Sequence, residues 1–285
     1  MKTAFFHSSQ SVWRLSVFFI VALIIFVGFR FEPESLIRAK VIEMAAKSGM
    51  QLQFDQVNVM GWIAGFHHVS IASKHLPMEL SFEKVEISPG WGTLLTGELA
   101  INVALVWSGG NAAVSISQAG EYISIQDIDV QTEMADVLQR TEPFLHLPVP
   151  VNVSGGVKLE GGMLLDRKSG TPQSGALSLY WQGAKIGMMG EESALGDLSL
   201  QVQSKAAQWE WLIQDGGTGF IDAKGVVQQQ GAQMARWPIS GSAVIHVAKL
   251  NDPSLLTLLS GFDAAGEMRL NVSGTLFKPR LDVLK

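Results

Sequence analysis

Histidine is the side chain in this sequence that comes closest to a reactive or metal-binding arrangement. His67, His68 and His75 are close together, but no acidic residue or cysteine lies at a metal-ligand spacing from them. In a strand, the neighbours His67 and His68 point to opposite faces, so they cannot share one ion unless a bulge intervenes. His246 lies alone between apolar residues, on the polar side of a strand pattern. The histidines therefore predict no metal site.

Motifs for nucleophilic catalysis or phosphate binding are absent from the sequence. There is no G-x-S-x-G elbow, and no glycine-rich phosphate loop follows a strand and opens a helix. The run Gly216-Gly217-Thr218-Gly219 has no lysine or helix after it, which predicts a hairpin. Carboxylate pairs such as Asp127 and Asp129 fit solvated strand edges. The sequence predicts a protein that is not an enzyme, with no catalytic residue and no cofactor.

The composition excludes several classes of partner and of stabilising bond. Only 16% of the residues are charged and the net charge is −5, so the basic face that nucleic acid requires is missing. The chain has no cysteine, which excludes disulfides and thiolate metal sites. Its 47% hydrophobic residues and 29 glycines are typical of many short strands and turns.

A hydrophobic run near the start of the sequence predicts a membrane anchor at residues 11–31. Fifteen residues lie between Arg14 and Arg30, and only Ser16 and Gly28 interrupt their apolar character. A transmembrane helix needs about 20 residues, and both arginines can reach the interface from its ends. A cleavable signal peptide is the alternative, but no A-x-A-like site follows the run.

The charges beside this span predict its orientation. Lys2 and Arg14 precede it, whereas Arg30 is followed by Glu32 and Glu34. Positive charge stays on the cytoplasmic side, so residues 1–10 form a cytoplasmic tail and the rest of the chain is periplasmic. The prediction is a single-pass protein of the bacterial inner membrane.

Residues 32–49 predict a short amphipathic helix directly outside the membrane. Pro33 and Glu34 suit its first turn, and Gly49 ends it. One face carries the residues Ile37, Val41, Met44, Ala45 and Ser48. The helix either covers one end of a sheet, which the pattern favours, or binds a partner at the interface.

Beyond Gly49 the apolar residues recur at every second position, which predicts a β-rich domain over residues 50–285 with only short helical interruptions, one near Met134–Leu138 and one from Asp252. Leu52 and Phe54 are followed by Val57 and Val59 one residue out of phase, which indicates a bulge. Residues 143–150 are rich in proline and are a possible hinge. The fold class is mainly β: a long, curved antiparallel sheet, trough-like or sandwich-like, behind an anchor and one short helix.

One face of this sheet is expected to be apolar, and it is the candidate functional surface. It either forms a sealed core, which is the default expectation, or lines a groove for acyl chains. Its candidate residues are Leu99, Ile101, Val103, Leu105, Trp107, Leu177, Leu179, Trp181, Trp209 and Trp211.

Short motifs accompany this order of elements: Val85-Glu86-Ile87-Ser88-Pro89 with Trp91, Leu94-Leu95-Thr96-Gly97, Gly109-Gly110, the glycine-led strand from Ser174 to Trp181, and Gly274-Thr275-Leu276-Phe277-Lys278-Pro279. Together with the order of the elements, they resemble the type II secretion system protein N family, particularly its longer form. The resemblance covers nearly the whole chain.

This resemblance implies a non-enzymatic accessory subunit of the type II secretion machinery that contacts other subunits through its periplasmic domain. The closing strand pattern is also similar to AsmA-like envelope proteins, which implies the alternative of a lipid-binding or lipid-transfer protein. The expected partners are the inner membrane, other secretion-system subunits and lipid. Neither resemblance implies catalytic residues.

Overall fold

The computed structural model describes residues 33–47, 49–73, 79–90, 100–141, 151–188, 191–205, 208–217, 219–231, 233–246 and 266–284. Fifteen strands in this part of the chain form one antiparallel sheet. The strands are β1 Met50–Gln53, β2 Gln56–Met60, β3 Ile63–Ser73, β4 Leu80–Pro89, β5 Ala100–Trp107, β6 Gly110–Ala119, β7 Tyr122–Glu133, β8 Val151–Asp166, β9 Pro172–Met188, β10 Glu191–Lys205, β11 Gln208–Asp215, β12 Ile221–Gln228, β13 Ile239–His246, β14 Glu267–Thr275 and β15 Lys278–Leu284. The helices are α1 Pro33–Lys47 and α2 Met134–Thr141, with a single 3-10 turn at Met234–Arg236.

The sheet is an open meander, because from β3 onward each strand pairs with the next strand of the chain. β1 and β2 both pair with β3 and together form one edge, and β15 forms the other. Tight turns make this order possible: Gly61 (φ 62°) and Gly120 (φ 61°) adopt the left-handed conformation in turns between neighbouring strands. The prediction of a mainly β, antiparallel sheet is confirmed, and its strands form a single layer rather than a sandwich.

Three predicted segments fall outside the described residues: the cytoplasmic tail at 1–10, the membrane span at 11–31 and the possible hinge at 143–150. Within the described ranges, no helix has the length and apolar character needed to cross a membrane. The strands β7 and β8, which flank residues 143–150, pair directly with each other from Tyr122↔Asp166 to Glu133↔Gly156.

The phase slip seen in the sequence near Phe54 is a break in the edge strand. β1 ends at Gln53 and β2 begins at Gln56, and both pair with β3. Opposite the break, His68 adopts a left-handed conformation (φ 50°), and its Nδ1 lies 3.2 Å from the Asp55 carboxylate. Phe54 turns inward and meets Phe66 edge to face, with ring centroids 5.2 Å apart.

Helix α1 covers this broken edge. Ile37 and Val41 pack against the buried cluster that contains Phe54. The Arg38 guanidinium donates a hydrogen bond to the Asp55 carbonyl oxygen (2.7 Å) and lies 4.8 Å from the Phe54 ring centroid. The helix thus covers one end of the sheet, as the sequence favours.

The predicted apolar face of α1 is only partly correct. Ala45 is buried, but Met44, which the sequence places on the same face, is 62% exposed. The reason is geometric: only about three positions of a four-turn helix can touch an edge as narrow as two short strands. The helix ends at Lys47, before Gly49 (φ 72°), as predicted.

Candidate functional site: the apolar face of the sheet

The pairing register places apolar residues in an unbroken row across fourteen strands, from β2 to β15. Residues that pair directly across neighbouring strands lie on the same face of a sheet, so the row can be followed from pair to pair. Its members are Val57, Phe66, Val85, Leu105, Ala112, Val130, Leu159, Leu179, Leu200, Ile213, Ala223, Ala243, Leu270 and Val283. We call the face that carries this row the apolar face.

The register also locates the candidate residues that the sequence suggested. Nine of the ten lie on the apolar face, on three strands: Ile101, Val103, Leu105 and Trp107 on β5; Leu177, Leu179 and Trp181 on β9; Trp209 and Trp211 on β11. Leu99 lies outside the described residues. Ile101 is the most exposed of the nine, at 43%, whereas Trp209 is buried. The register thus brings these nine residues together on one face of the sheet.

The opposite face is polar and carries ion pairs between residues two positions apart on the same strand. Lys84 and Glu86 on β4 lie 2.7 Å apart, and Lys158 and Glu160 on β8 form a second pair. The hydrogen bond to Glu160 raises the pKa of Lys158 above its ordinary value. The sheet thus has one polar face and one apolar face.

The apolar face is incompletely covered. None of the large side chains in the described part of the chain is fully buried. Two separate clusters contain some of the buried apolar residues, and others, such as Val157 and Met268, lie outside both. The first cluster lies under α1 at the β1/β2 edge. The second joins Trp209, Val227 and Trp237 near the other edge. Most of the row between them is only half-buried.

Trp237 covers part of the face from outside the sheet. It follows the 3-10 turn Met234–Arg236 between β12 and β13, and is only 2% exposed. Its indole N–H donates to the Gly231 carbonyl oxygen (3.1 Å), and its carbonyl oxygen accepts a hydrogen bond from the Leu276 N–H (2.9 Å). These bonds tie the connection between β12 and β13 to the turn between β14 and β15.

An apolar cavity of about 320 Å³ lies between this connection and the sheet. Its lining side chains come from β8, β9, β11, β12 and the two covering turns: Met163, Leu165, Pro172, Leu177, Trp209, Val227, Met234, Trp237 and Leu276. Only Leu177 and Trp209 were among the predicted residues. Trp237 and Leu276 escaped prediction because they lie in turns, where no period indicates a face. Met163 and Leu165 continue the strand pattern that begins at Val157 and Leu159, and that pattern could have identified them.

Trp211 shows how the face accommodates bulk next to this cavity. Its ring lies over Gly225 and Gly241, the directly paired glycines of β12 and β13. A Cβ at Gly225 would lie 2.5 Å from Trp211 Cζ2 and 2.1 Å from the Ser240 carbonyl oxygen. The indole N–H of Trp211 is buried and has no acceptor among the described residues. The Trp211 ring therefore packs directly against the backbone of the two glycines, where any larger residue would collide with it.

The polar candidates do not assemble into a reactive site. His246 Nδ1 lies 3.2 Å from Glu267, and His68 pairs with Asp55, but no group of three potential metal ligands occurs among the residues the structure describes. His75 lies outside those residues. The predicted hairpin at Gly216–Gly219 is confirmed, since β11 and β12 flank it as antiparallel neighbours. The Asp215 carboxylate accepts hydrogen bonds from the backbone N–H groups of Gly217 and Gly219.

Comparisons of the chain with models of protein families, with curated proteins and with solved structures returned no match. The fold and the site therefore define a class on their own: an open antiparallel meander with one polar face and one continuous, partly uncovered apolar face. The resemblances described from the sequence remain hypotheses about its function.

The contact between Trp211 and the two glycines gives a test of this face. We expect Gly225→Ala to destabilise the protein by about 1–3 kcal/mol. The added methyl would overlap both the Trp211 ring and the Ser240 carbonyl oxygen, and these two groups cannot both move away. Chemical unfolding would measure the change. Gly156→Ala on β8 is the matched control, since a Cβ there meets no atom within 4 Å. Equal stabilities of the two variants would contradict the packing described.

Proposed function

We propose that this protein is a non-enzymatic envelope protein that holds the acyl chains of lipid on its apolar face. The observation that carries the proposal is the row of fourteen apolar residues that continues beyond the parts of the face that other elements cover. A sheet with such a face must bury it against a second layer or against an apolar ligand. The described residues contain no second layer.

The shape of the cavity supports a trough. Met163 on β8 and Val227 on β12 both line it, although four strand spacings separate their strands. On a flat sheet that separation is about 19 Å, since neighbouring strands lie about 4.8 Å apart. One cavity of about 320 Å³ can touch both only if the sheet curves toward its apolar side there. A volume near 300 Å³ is also the lower range of small-molecule sites.

The bulk along the face also favours an open groove over a sealed core. The Trp107 indole donates to Asp136 of α2 (2.8 Å), and the Trp181 indole donates to the Ser154 carbonyl oxygen (3.0 Å). The Trp107 ring is thus held toward α2, and the Trp181 ring toward β8. Between these two rings the row narrows to alanine at Ala112 on β6, which is half-buried and leaves room above the sheet.

This function agrees with an anchor at residues 11–31 that keeps the sheet next to the inner membrane, on its periplasmic side. The exposed apolar side chains of α1, such as Leu36 and Ile42, then lie within reach of the lipid surface from which acyl chains would enter. Among the residues that the structure describes, no cluster of potential metal ligands lies on either face of the sheet.

Photo-crosslinking in intact cells tests the lipid proposal on the full chain. We expect a benzophenone amino acid in place of Leu177 to form adducts with lipid, detected by mass spectrometry, because Leu177 lines the cavity. The matched control replaces Leu212, which pairs with Gln201 and Lys224 on the polar face. The proposal is wrong if position 177 captures no lipid, or captures no more than position 212.

We also propose, as a second candidate, an accessory role in type II secretion. What favours it is the place of two of the motifs behind the resemblance: Val85–Pro89 closes β4, and Gly274–Pro279 spans the last hairpin. Motifs at strand ends and turns are the parts of a sheet that a neighbouring subunit can contact.

Deletion of the gene tests the second candidate. We expect the deletion to leave type II substrates in the periplasm, and a plasmid copy of the gene to restore their export. A periplasmic reporter that uses another export route is the control. Full export of type II substrates in the deletion strain would exclude an essential accessory role and leave the lipid proposal untouched.

A further inference from the structure

The two edges of the sheet differ in how they are protected. The β1/β2 edge is short, broken at Phe54 and Asp55, and covered by α1. At the other edge, β15 pairs only with β14 within the described residues. The apolar row ends there in side chains that stay in water, with Leu281 64% and Val283 44% exposed. An exposed edge strand with apolar side chains is a template for pairing with another strand.

The backbone groups that β15 presents outward follow from its contact with Gly274. A Cβ added at Gly274 would meet the Lys278 carbonyl oxygen at 2.6 Å and the Arg280 nitrogen at 3.4 Å, so both backbone groups point toward β14. The residues between and beyond them, Pro279, Leu281 and Val283, therefore direct their backbone groups away from the sheet. Pro279 has no N–H, and its position on the outward side leaves the β14 ladder complete.

The side chains of β15 are complementary to themselves. If a second β15 pairs antiparallel about a two-fold axis at Leu281, residue 280 of one strand lies opposite residue 282 of the other. Arg280 then faces Asp282 twice, once on each side of the axis, on the polar face that these residues share with Ser273 and Asn271. On the apolar face, Leu281 meets its own copy and Val283 meets Pro279.

We propose that two copies of this chain associate edge to edge through β15, with the axis at Leu281. The Leu281 N–H and carbonyl groups bond reciprocally across the axis, and each Val283 N–H donates to a Pro279 carbonyl oxygen. The interface is isologous and closed, and it joins the two apolar rows into one. The proposal does not depend on what the apolar face binds.

The charges argue for a second copy rather than for a head-to-tail arrangement. In a head-to-tail pair, β15 would meet β1 or β2. The polar side chains of those strands, Gln51, Gln53 and Asn58, are uncharged. Those strands have four and five residues, and the break at Asp55 separates them. A seven-residue strand with one cation and one anion around its centre matches its own copy better.

Cysteine cross-linking of the full chain in membranes tests the pairing, because the chain has no cysteine of its own. Opposed residues of an antiparallel pair lie about 5.5 Å apart at Cα, within the range that a disulfide spans. We expect Leu281→Cys to give a disulfide-linked dimer on oxidation. Phe277→Cys, in the turn before β15 and 68% exposed, is the control and should stay monomeric.

Charge reversal in the Leu281→Cys background then distinguishes this register from others. Arg280→Asp should lower the dimer yield roughly fivefold, since two like-charged pairs replace two opposite ones. Adding Asp282→Arg should restore the yield, while the exposed Lys224→Asp on β12 should not change it. The proposal is overturned if Leu281→Cys gives no dimer, if it links to a different protein, or if the double reversal does not restore the yield.

Discussion

Every feature of this fold depends on keeping the side-chain alternation in register across fifteen strands. In a sheet the side chains alternate with a period of two, so a slip of one residue moves a whole strand's apolar set to the other face. The row from Val57 to Val283 shows that the register keeps apolar residues on the same face from one edge of the sheet to the other. Short turns between consecutive strands help, because each turn fixes the register of its own hairpin.

Among the described residues, two non-glycine residues have positive φ, His68 and Asp127, and both are part of this constraint. Beside His68, the apolar residues Phe66 and Val69 are three positions apart, yet both belong to the same buried cluster. Beside Asp127, Ile125 and Ile128 are also three apart, and the ladder shifts between them. A regular strand would put such residues on opposite faces. A bulge at an intervening left-handed residue returns both to the apolar face.

A single-layer sheet with a partly exposed apolar face lacks the part of the stabilisation that burial of those side chains would give. Each aliphatic side chain that stays in water forgoes roughly 1.5–3 kcal/mol relative to full burial. Among the described residues, part of this stabilisation is recovered where other elements cover the face, as α1 and Trp237 do. The remaining face is where a ligand or partner would contribute most to stability, which is why function is better sought there than among the polar residues.

The alternation of residues predicted most strands and the face that nine candidate residues share, because a period of two is a local property. It also predicted the hairpin after Asp215 and the end of α1 before Gly49. It could not predict the cover that Trp237 provides or the exposure of Met44, since both depend on contacts between distant parts of the chain. Asp127 was expected to be an ordinary solvated residue, and its backbone conformation has no signature in the sequence.

The central claim is that the sheet has one polar face and one uncovered apolar face in contact with lipid. A spin-label scan along β9, with single cysteines at 177, 178, 179 and 180 in the full chain, tests it most directly. The account predicts alternation: labels at Leu177 and Leu179 should be relaxed by lipid-soluble oxygen, and labels at Ser178 and Tyr180 by a water-soluble nickel chelate. Labels at 177 and 179 that are closed to both reagents would indicate a sealed core and contradict the account.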